Sequence, residues 1–348
     1  MTDAVQSPAA RAAAREAFLA RAGYAGIALE ALPADASSRC YFRLADGATL
    51  LMDSPPASEP LGPYLQVARY LQRLGLSAPN ILAADEEAGL ALIEDFGEGT
   101  YTRLLAAGHG EKALYRLAVD TLVELHRAPA PSAEELPPYD AARLADEYAL
   151  FIDWYAPLLI GNEAAKALRE PYLQLFANAC TEVAGRREAL VLRDFHVDNL
   201  MLLEGRSGVA ACGLLDFQDA LFGASAYDLM SLLEDARRDV PESLRIALLA
   251  HYLMQRPLLD AQRFISDYRI LAAQRHAKVL GIFVRLAWRD GKRGYLAYLP
   301  RTLGLFARAL DTQALHPLRE FLEQNLPGWR DGLPPAALDR LAGCRPLS

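Results

Sequence analysis

Two short segments hold the residue types that could do chemistry: Arg193-Asp194-Phe195-His196-Val197-Asp198-Asn199 and Asp216-Phe217-Gln218-Asp219. Asn199 stands five positions after Asp194, and Asp216 stands 22 positions after it. A carboxylate can orient an attacking hydroxyl, while an amide oxygen and a second carboxylate can hold Mg²⁺ against a phosphate chain. Those are the needs of phosphoryl transfer. A lone D-x-x-x-x-N proves little, because Asp and Asn commonly do no more than cap turns. The weight comes from context: short apolar runs at 200–203 and 209–215 read as a hairpin that ends at Asp216.

The elements that must position these residues follow from period and punctuation. Ser7-Pro8 opens an alanine-rich helix running to about residue 22. Residues 39–44 and 48–53 are extended runs joined by Asp46-Gly47, a hairpin turn signal. Leu65, Ala68 and Leu71 give 61–74 a helical period, and 80–84 and 90–94 flank the turn Glu87-Ala88-Gly89. Beyond Asp95-Phe96-Gly97 the pattern turns helical, over 113–126, 141–155, 171–183, 241–252 and 262–285. Strand-like runs at 190–192, 200–203 and 209–215 interrupt it. The expectation is an α+β, bilobal protein-kinase-like fold. Residues 1–95 form a small sheet-rich lobe on the nucleotide-phosphate side, and 96–348 a larger helical lobe with the catalytic loop, metal site and substrate pocket. A cleft between two such lobes is a usual ligand site.

The 348 residues allow a substantial core, and 52% hydrophobic with 23% charged residues is ordinary for a soluble globular chain. A formal charge of −8 argues against a nucleic-acid partner, which needs a basic face, but not against a nucleotide bound locally with Mg²⁺. Cys40, Cys180, Cys212 and Cys344 are scattered, with neither metal-ligand nor disulfide-framework spacing. Free thiols, no visible signal peptide and no apolar run long enough to span a bilayer lead to the expectation of a cytoplasmic protein without a membrane partner.

The segment 192–200, with Asp216-Phe217-Gln218-Asp219-Ala220 and Tyr227-Asp228-Leu229, resembles the aminoglycoside phosphotransferase/choline kinase superfamily. Within it the chain is most similar to the bacterial anomeric N-acetylmuramate/N-acetylglucosamine kinases of cell-wall recycling. That closer likeness rests on Ala36-Ser37-Ser38-Arg39-Cys40-Tyr41-Phe42-Arg43, Leu51-Met52-Asp53-Ser54-Pro55-Pro56 and Arg275-His276-Ala277-Lys278-Val279-Leu280-Gly281. The resemblance implies ATP and Mg²⁺ as cofactors and a small amino-sugar substrate phosphorylated at its anomeric hydroxyl. Asp194 would orient that hydroxyl, and Asn199 and Asp216 would hold Mg²⁺. Ser37, Ser38 and Arg39 would lie on the loop over the ATP phosphates, and the backbone from Glu94 to Phe96 would meet the adenine.

Two departures from the family pattern stand out. The catalytic loop begins Leu192-Arg193-Asp194 where the family often has His-Gly-Asp. The strand at 49–53 has no Lys for the phosphates, and the helix after it offers Gln66 but no Glu. Arg39 or Arg43 could substitute, or Mg²⁺ could carry the phosphate charge largely alone. Gln218 replaces the Gly of a D-F-G segment and could touch phosphate or sugar; Asp219 could bind a sugar hydroxyl or turn the chain. His196 reads as a hydrogen-bonded loop residue, though its place leaves it open to substrate. Arg275, His276, Lys278 and Arg285 make either a basic wall toward a substrate carboxylate or a solvated face. Two alternatives remain: a kinase of this fold acting on an aminoglycoside or choline-type alcohol, and a nucleotide-binding pseudokinase.

Overall fold

The computed structural model describes residues 7–33, 38–128, 136–334 and 336–337. Along the chain run α1 (Pro8–Arg21), β1 (Leu29–Ala31), β2 (Cys40–Leu44), β3 (Thr49–Asp53), α2 (Gly62–Arg73), β4 (Ile81–Asp85), β5 (Leu90–Glu94), α3 (Tyr101–Ala106) and α4 (Glu111–Arg127). Next come α5 (Ala141–Leu150), a π-helical turn (Phe151–Tyr155), α6 (Ala156–Ile160), α7 (Asn162–Cys180), β6 (Ala189–Val191), β7 (Leu200–Leu202) and β8 (Cys212–Leu214). The chain then continues through β9 (Leu221–Gly223), α8 (Ala226–Leu233), α9 (Glu242–Gln255), α10 (Ala261–Arg289), α11 (Leu299–Ala309) and α12 (His316–Asn325). It divides into two compact units. The first runs to Leu125 and takes in Val197–Ala220; the second holds His126–His196 and everything from Leu221.

The first unit is built on an antiparallel sheet of order β1-β2-β3-β5-β4. Asp46 accepts the backbone N–H groups of Ala48 and Thr49, and Gly47 takes φ +69°, which closes the β2–β3 hairpin as expected. Ser7 caps α1 by accepting from Ala10 N at 3.2 Å. Phe18 and Leu19 of α1 then join Leu44, Leu51, Leu90 and Leu92 of the sheet in one buried cluster. A buried ion pair fixes the helix on the strand: Arg11 Nε and Arg15 Nη1 reach the two oxygens of Asp53 at 3.0 and 2.7 Å. The β7–β8 hairpin belongs to this unit as well, Leu200 pairing with Leu214.

The second unit is helical around α10, whose N-cap Asp260 accepts from Arg263 N at 3.0 Å. Gly281 lies against α5 so closely that a Cβ there would sit 2.2 Å from the Leu150 carbonyl oxygen. Only glycine permits that approach. The pair β6–β9 leads the chain toward the segment that holds Asp194, with Val191 opposite Leu221.

Several sequence expectations need correction. The helix expected from 171 begins at Asn162 and carries Pro171 inside it. Pro171 and the residue four before it, Ala167, are exposed, so solvent can take the carbonyl that the proline leaves without an N–H. Regular α-helix ends at Leu150, where the expected 141–155 helix passes into the π-helical turn. Of the run 209–215 only Cys212–Leu214 is strand, after a 3₁₀ turn at Gly208–Ala211.

Candidate active site

In the first unit, Arg39, Arg43, Glu94, Phe96, Asn199 and Asp216 line one cavity of about 540 Å³, whereas Ser38, Gln218 and Asp219 are not part of its lining. Alternation along β2 and the extended residue just before it places Arg39, Tyr41 and Arg43 on its wall together, since every second side chain of an extended run shares a face. Glu94, Asp95 and Phe96 line it at the end of β5, and Asn199 and Asp216 at the β7–β8 hairpin. Leu50, Ile93, Met201 and Leu215 supply apolar lining. The result is a largely apolar slot with charged groups at its margins, a form suited to a nucleotide.

Asp216 is presented by strain behind it. Its φ is +56°, unusual for a residue with a Cβ, and Phe217 is buried by stacking on Tyr64 at 5.0 Å between ring centroids. Phe217 thus anchors the turn while the Asp216 carboxylate points outward, exposed. Asn199 Nδ2 donates to Asp216 Oδ2 at 3.4 Å, and Gln218 Nε2 donates to Oδ1 at 2.9 Å. A carboxylate beside an amide oxygen is a hard-oxygen donor set, which fits Mg²⁺ completed by phosphate and water. Among the described residues no cluster of three or more His, Cys, Asp or Glu could hold a metal by itself. Gln218 therefore lies beside the candidate metal carboxylate, and Asp219 is exposed next to it in the chain.

The two candidate arginines differ. Arg43 donates to Asp95 and, at 2.9 Å, to Glu98, so it is tied to the segment that follows β5. Arg39 is buried and pairs with Glu59 at 3.0 Å. Burial lowers the pKa of its guanidinium, but Tyr41, Glu59 and Asp216 outweigh it and keep the charge secure. Glu59 also accepts from Ser38 N and Ser38 Oγ at 2.7 and 2.9 Å, so one carboxylate organises both residues. Ser37 lies outside the described residues. Arg206 was not anticipated: it bonds Glu94, donates to Ser77 Oγ at 2.8 Å and lies over the Phe96 ring. Gly213 is needed beside it, because a Cβ there would come within 2.9 Å of the Phe96 ring.

In the second unit, the loop before Asp194 is held by buried acids. Asp228 accepts Leu192 N at 2.6 Å and Arg193 N at 2.9 Å. Burial pushes its carboxyl up to about 7, against the pull of those two N–H groups. Arg193 takes φ +68°, the second residue other than glycine with positive φ among the described residues. Its guanidinium meets Glu147, which also accepts from Lys278 Nζ at 2.8 Å, Gln274 Nε2 at 2.7 Å and Tyr139 OH. Burial raises the Glu147 pKa, yet Lys278 and Arg193 outweigh it and bring it to about 2.

Asp194 remains 39% exposed, with Arg275 Nη1 3.7 Å from Oδ1. Burial of the carboxyl opposes ionisation, but Lys278, Arg275, His196 and Arg193 together hold it well below the usual carboxylate range. Arg275 also donates to Arg193 O at 3.0 Å and Tyr227 OH at 3.3 Å. Arg275, His276 and Lys278 are buried, so the solvated-face reading fails for them. His196 is buried too, and burial lowers its pKa. Tyr155 is core, its hydroxyl donating to Trp329 O at 3.0 Å.

Residues 28–265 match the sequence pattern of the phosphotransferase enzyme family. A relative from Caulobacter vibrioides named N-acetylmuramate/N-acetylglucosamine kinase is 36% identical, over 91% of this chain and 97% of its own length. One of the same name from Pseudomonas aeruginosa is 36% identical over 81% of this chain and 83% of its own. Among solved structures, ADP-bound aminoglycoside phosphotransferase APH(2'')-Ib superposes with a TM-score of 0.58 at 15% identity, covering 88% of this chain and 98% of that one. A choline/ethanolamine kinase family protein from Mesorhizobium loti superposes with a TM-score of 0.55 at 18% identity, covering 92% and 100%. The fold is thus protein-kinase-like.

Proposed function

Since the chain belongs to the phosphotransferase enzyme family, we propose that it transfers the γ-phosphate of ATP to the anomeric hydroxyl of N-acetylmuramate and N-acetylglucosamine. The observation that carries the choice of sugar is the 36% identity, over 91% of the chain, to a kinase named for those two sugars. The chemistry rests on Asp194. A carboxylate held this acidic is a weak base for a ground-state alcohol, but it can orient the hydroxyl and take its proton late, as the bond to phosphorus forms. Arg275 and the Asp228-bound backbone fix where that carboxylate points.

The cavity of the first unit would take the nucleotide, with the adenine against Glu94–Phe96 and the phosphates toward Arg39 and Ser38. Asn199 and Asp216 would hold Mg²⁺, which when bound neutralises charge on the phosphate oxygens. Among the described residues no helix is long and apolar enough to cross a membrane. The place we assign is the cytoplasm, in recycling of cell-wall sugars.

The test is ADP release by purified protein with N-acetylmuramate, N-acetylglucosamine, choline and kanamycin, followed by NMR of the product. Phosphate on O1 of the amino sugars is the expected result. Turnover confined to choline or kanamycin overturns the choice of sugar, and no turnover with any acceptor favours a pseudokinase.

A further inference from the structure

In the second unit, a cavity of about 440 Å³ opens beyond the C-terminal end of α8. Arg238, Arg245, Arg301 and Arg308 line it, from the α8–α9 connection, the start of α9 and α11. Building on the function proposed above, we propose that this cavity receives the acceptor's carboxylate, the lactyl group that N-acetylmuramate has and N-acetylglucosamine lacks.

The charges around the cavity show what it could take. Glu234 is partly buried and already engaged, with His276 Nε2 at 3.1 Å and Arg308 at 3.3 Å. Asp239 meets Arg301 from the solvent side, its own side chain 91% exposed, so an incoming carboxylate can take its place. Glu242 is exposed at the rim. Asp235 is buried; Oδ1 accepts Arg237 N at 2.8 Å, while Oδ2 has no hydrogen-bond partner among the described residues. Arg245 Nε is likewise buried without a hydrogen-bond partner among them. The N-cap of α9 is Pro241, which supplies no side-chain cap and leaves the positive end of the helix at the cavity.

A buried acceptor and a buried donor, both unsatisfied, call for a ligand with hydroxyl or amide donors as well as an anionic group. A bare anion would face the Asp235 carboxylate, and a neutral sugar would have no use for the arginines. A sugar bearing a carboxylate satisfies both. The cavity is also tied to the catalytic loop within this unit. The start of α8 carries Asp228, which holds the loop backbone, and the end of α8 opens on the cavity. The wall residue Glu234 is held by His276, the neighbour of the Arg275 that pairs with Asp194. The cations nearer to Asp194 are already engaged, Lys278 by Glu147 and Arg275 by Arg193 O, Tyr227 and Asp194.

The test is steady-state kinetics of Arg245→Ala and Arg301→Ala with both sugars. The preference for N-acetylmuramate, as the ratio of the two kcat/KM values, should fall roughly tenfold or more, through KM, because a charge-assisted hydrogen bond is lost. Arg301→Lys should recover part of it. Turnover of N-acetylglucosamine reports that each variant is folded. An unchanged ratio in both variants, or equal loss on both sugars, would overturn the proposal. Failure of the wild-type protein to phosphorylate either sugar would instead overturn the function on which it rests.

Discussion

In the first unit several charged residues line a cavity beside the buried Arg39: Asp216 is exposed, and Arg43 is tied to Asp95 and to the largely exposed Glu98. In the second unit Glu147, Asp228, Arg275 and Lys278 are all buried, Lys278 bonded to Glu147 and the other three each bonded to Arg193. Such a margin would suit groups that arrive and leave with each turnover. The buried network holds one carboxylate in one orientation. Substitutions at the margin should therefore change binding and rate, while substitutions in the network should change folding.

Asp194 is where the comparison is tested hardest, because it is the half-exposed tip of the buried network. Asp194→Asn keeps the shape and loses the charge. Turnover should fall roughly 10²- to 10⁴-fold, as for loss of a catalytic acid–base group. Thermal melting should show the variant folded, and near-wild-type turnover in such a variant would remove Asp194 from the reaction. Glu147→Ala should do the reverse. It leaves Lys278 and Arg193 without their shared carboxylate, at a cost of about 3–5 kcal/mol in denaturant unfolding. A loss of rate with unchanged stability would place Glu147 in the catalytic step instead.

The same residue gives a pH signature. Its folded pKa, about 2, lies below the ordinary value of 4.5. A depressed carboxylate contributes stability that is fully present above its unfolded pKa and lost as pH falls through the folded one. The wild-type melting temperature should thus drop between about pH 4.5 and 2, more steeply than that of Glu147→Gln. Parallel curves would mean that Glu147 is not strongly ionised in the fold.

What could be read in advance follows the same division. Asp194, Asn199 and Asp216 were legible because their spacing is local and a hairpin lies between them. Glu147 was not, because it lies in a helix with an ordinary amphipathic pattern and its partners Arg193 and Lys278 are distant in sequence. Arg206 was hidden in the same way, since nothing near it points to Glu94 or Phe96. The Gly281 contact with Leu150 depends on how two helices cross, which neither helix records alone. The sheet was legible from its turns, but β1 and β9 are each three residues long, too short to show alternation.

The margin itself can be divided further, through the two arginines that the sequence left equal. Strand alternation puts both on the cavity wall, so their partners have to separate them. Arg43 is held by Asp95 and Glu98, two acids after β5, which ties it to that segment. Arg39 is held by Glu59, the acid that also grips Ser38, and it feels the charge of Asp216. On the proposed function, that pairing would be the arginine counterpart of the lysine–glutamate pair that kinases set against the phosphates. Arg39→Ala should raise KM for ATP roughly tenfold or more, since a charged hydrogen bond to phosphate is lost. Glu59→Gln should have a smaller effect in the same direction by releasing Arg39 and Ser38, and Arg43→Ala the smallest of the three. If Arg43→Ala proves the more damaging, the phosphates lie toward Asp95 and Glu98, and the orientation assigned to the nucleotide must be reversed.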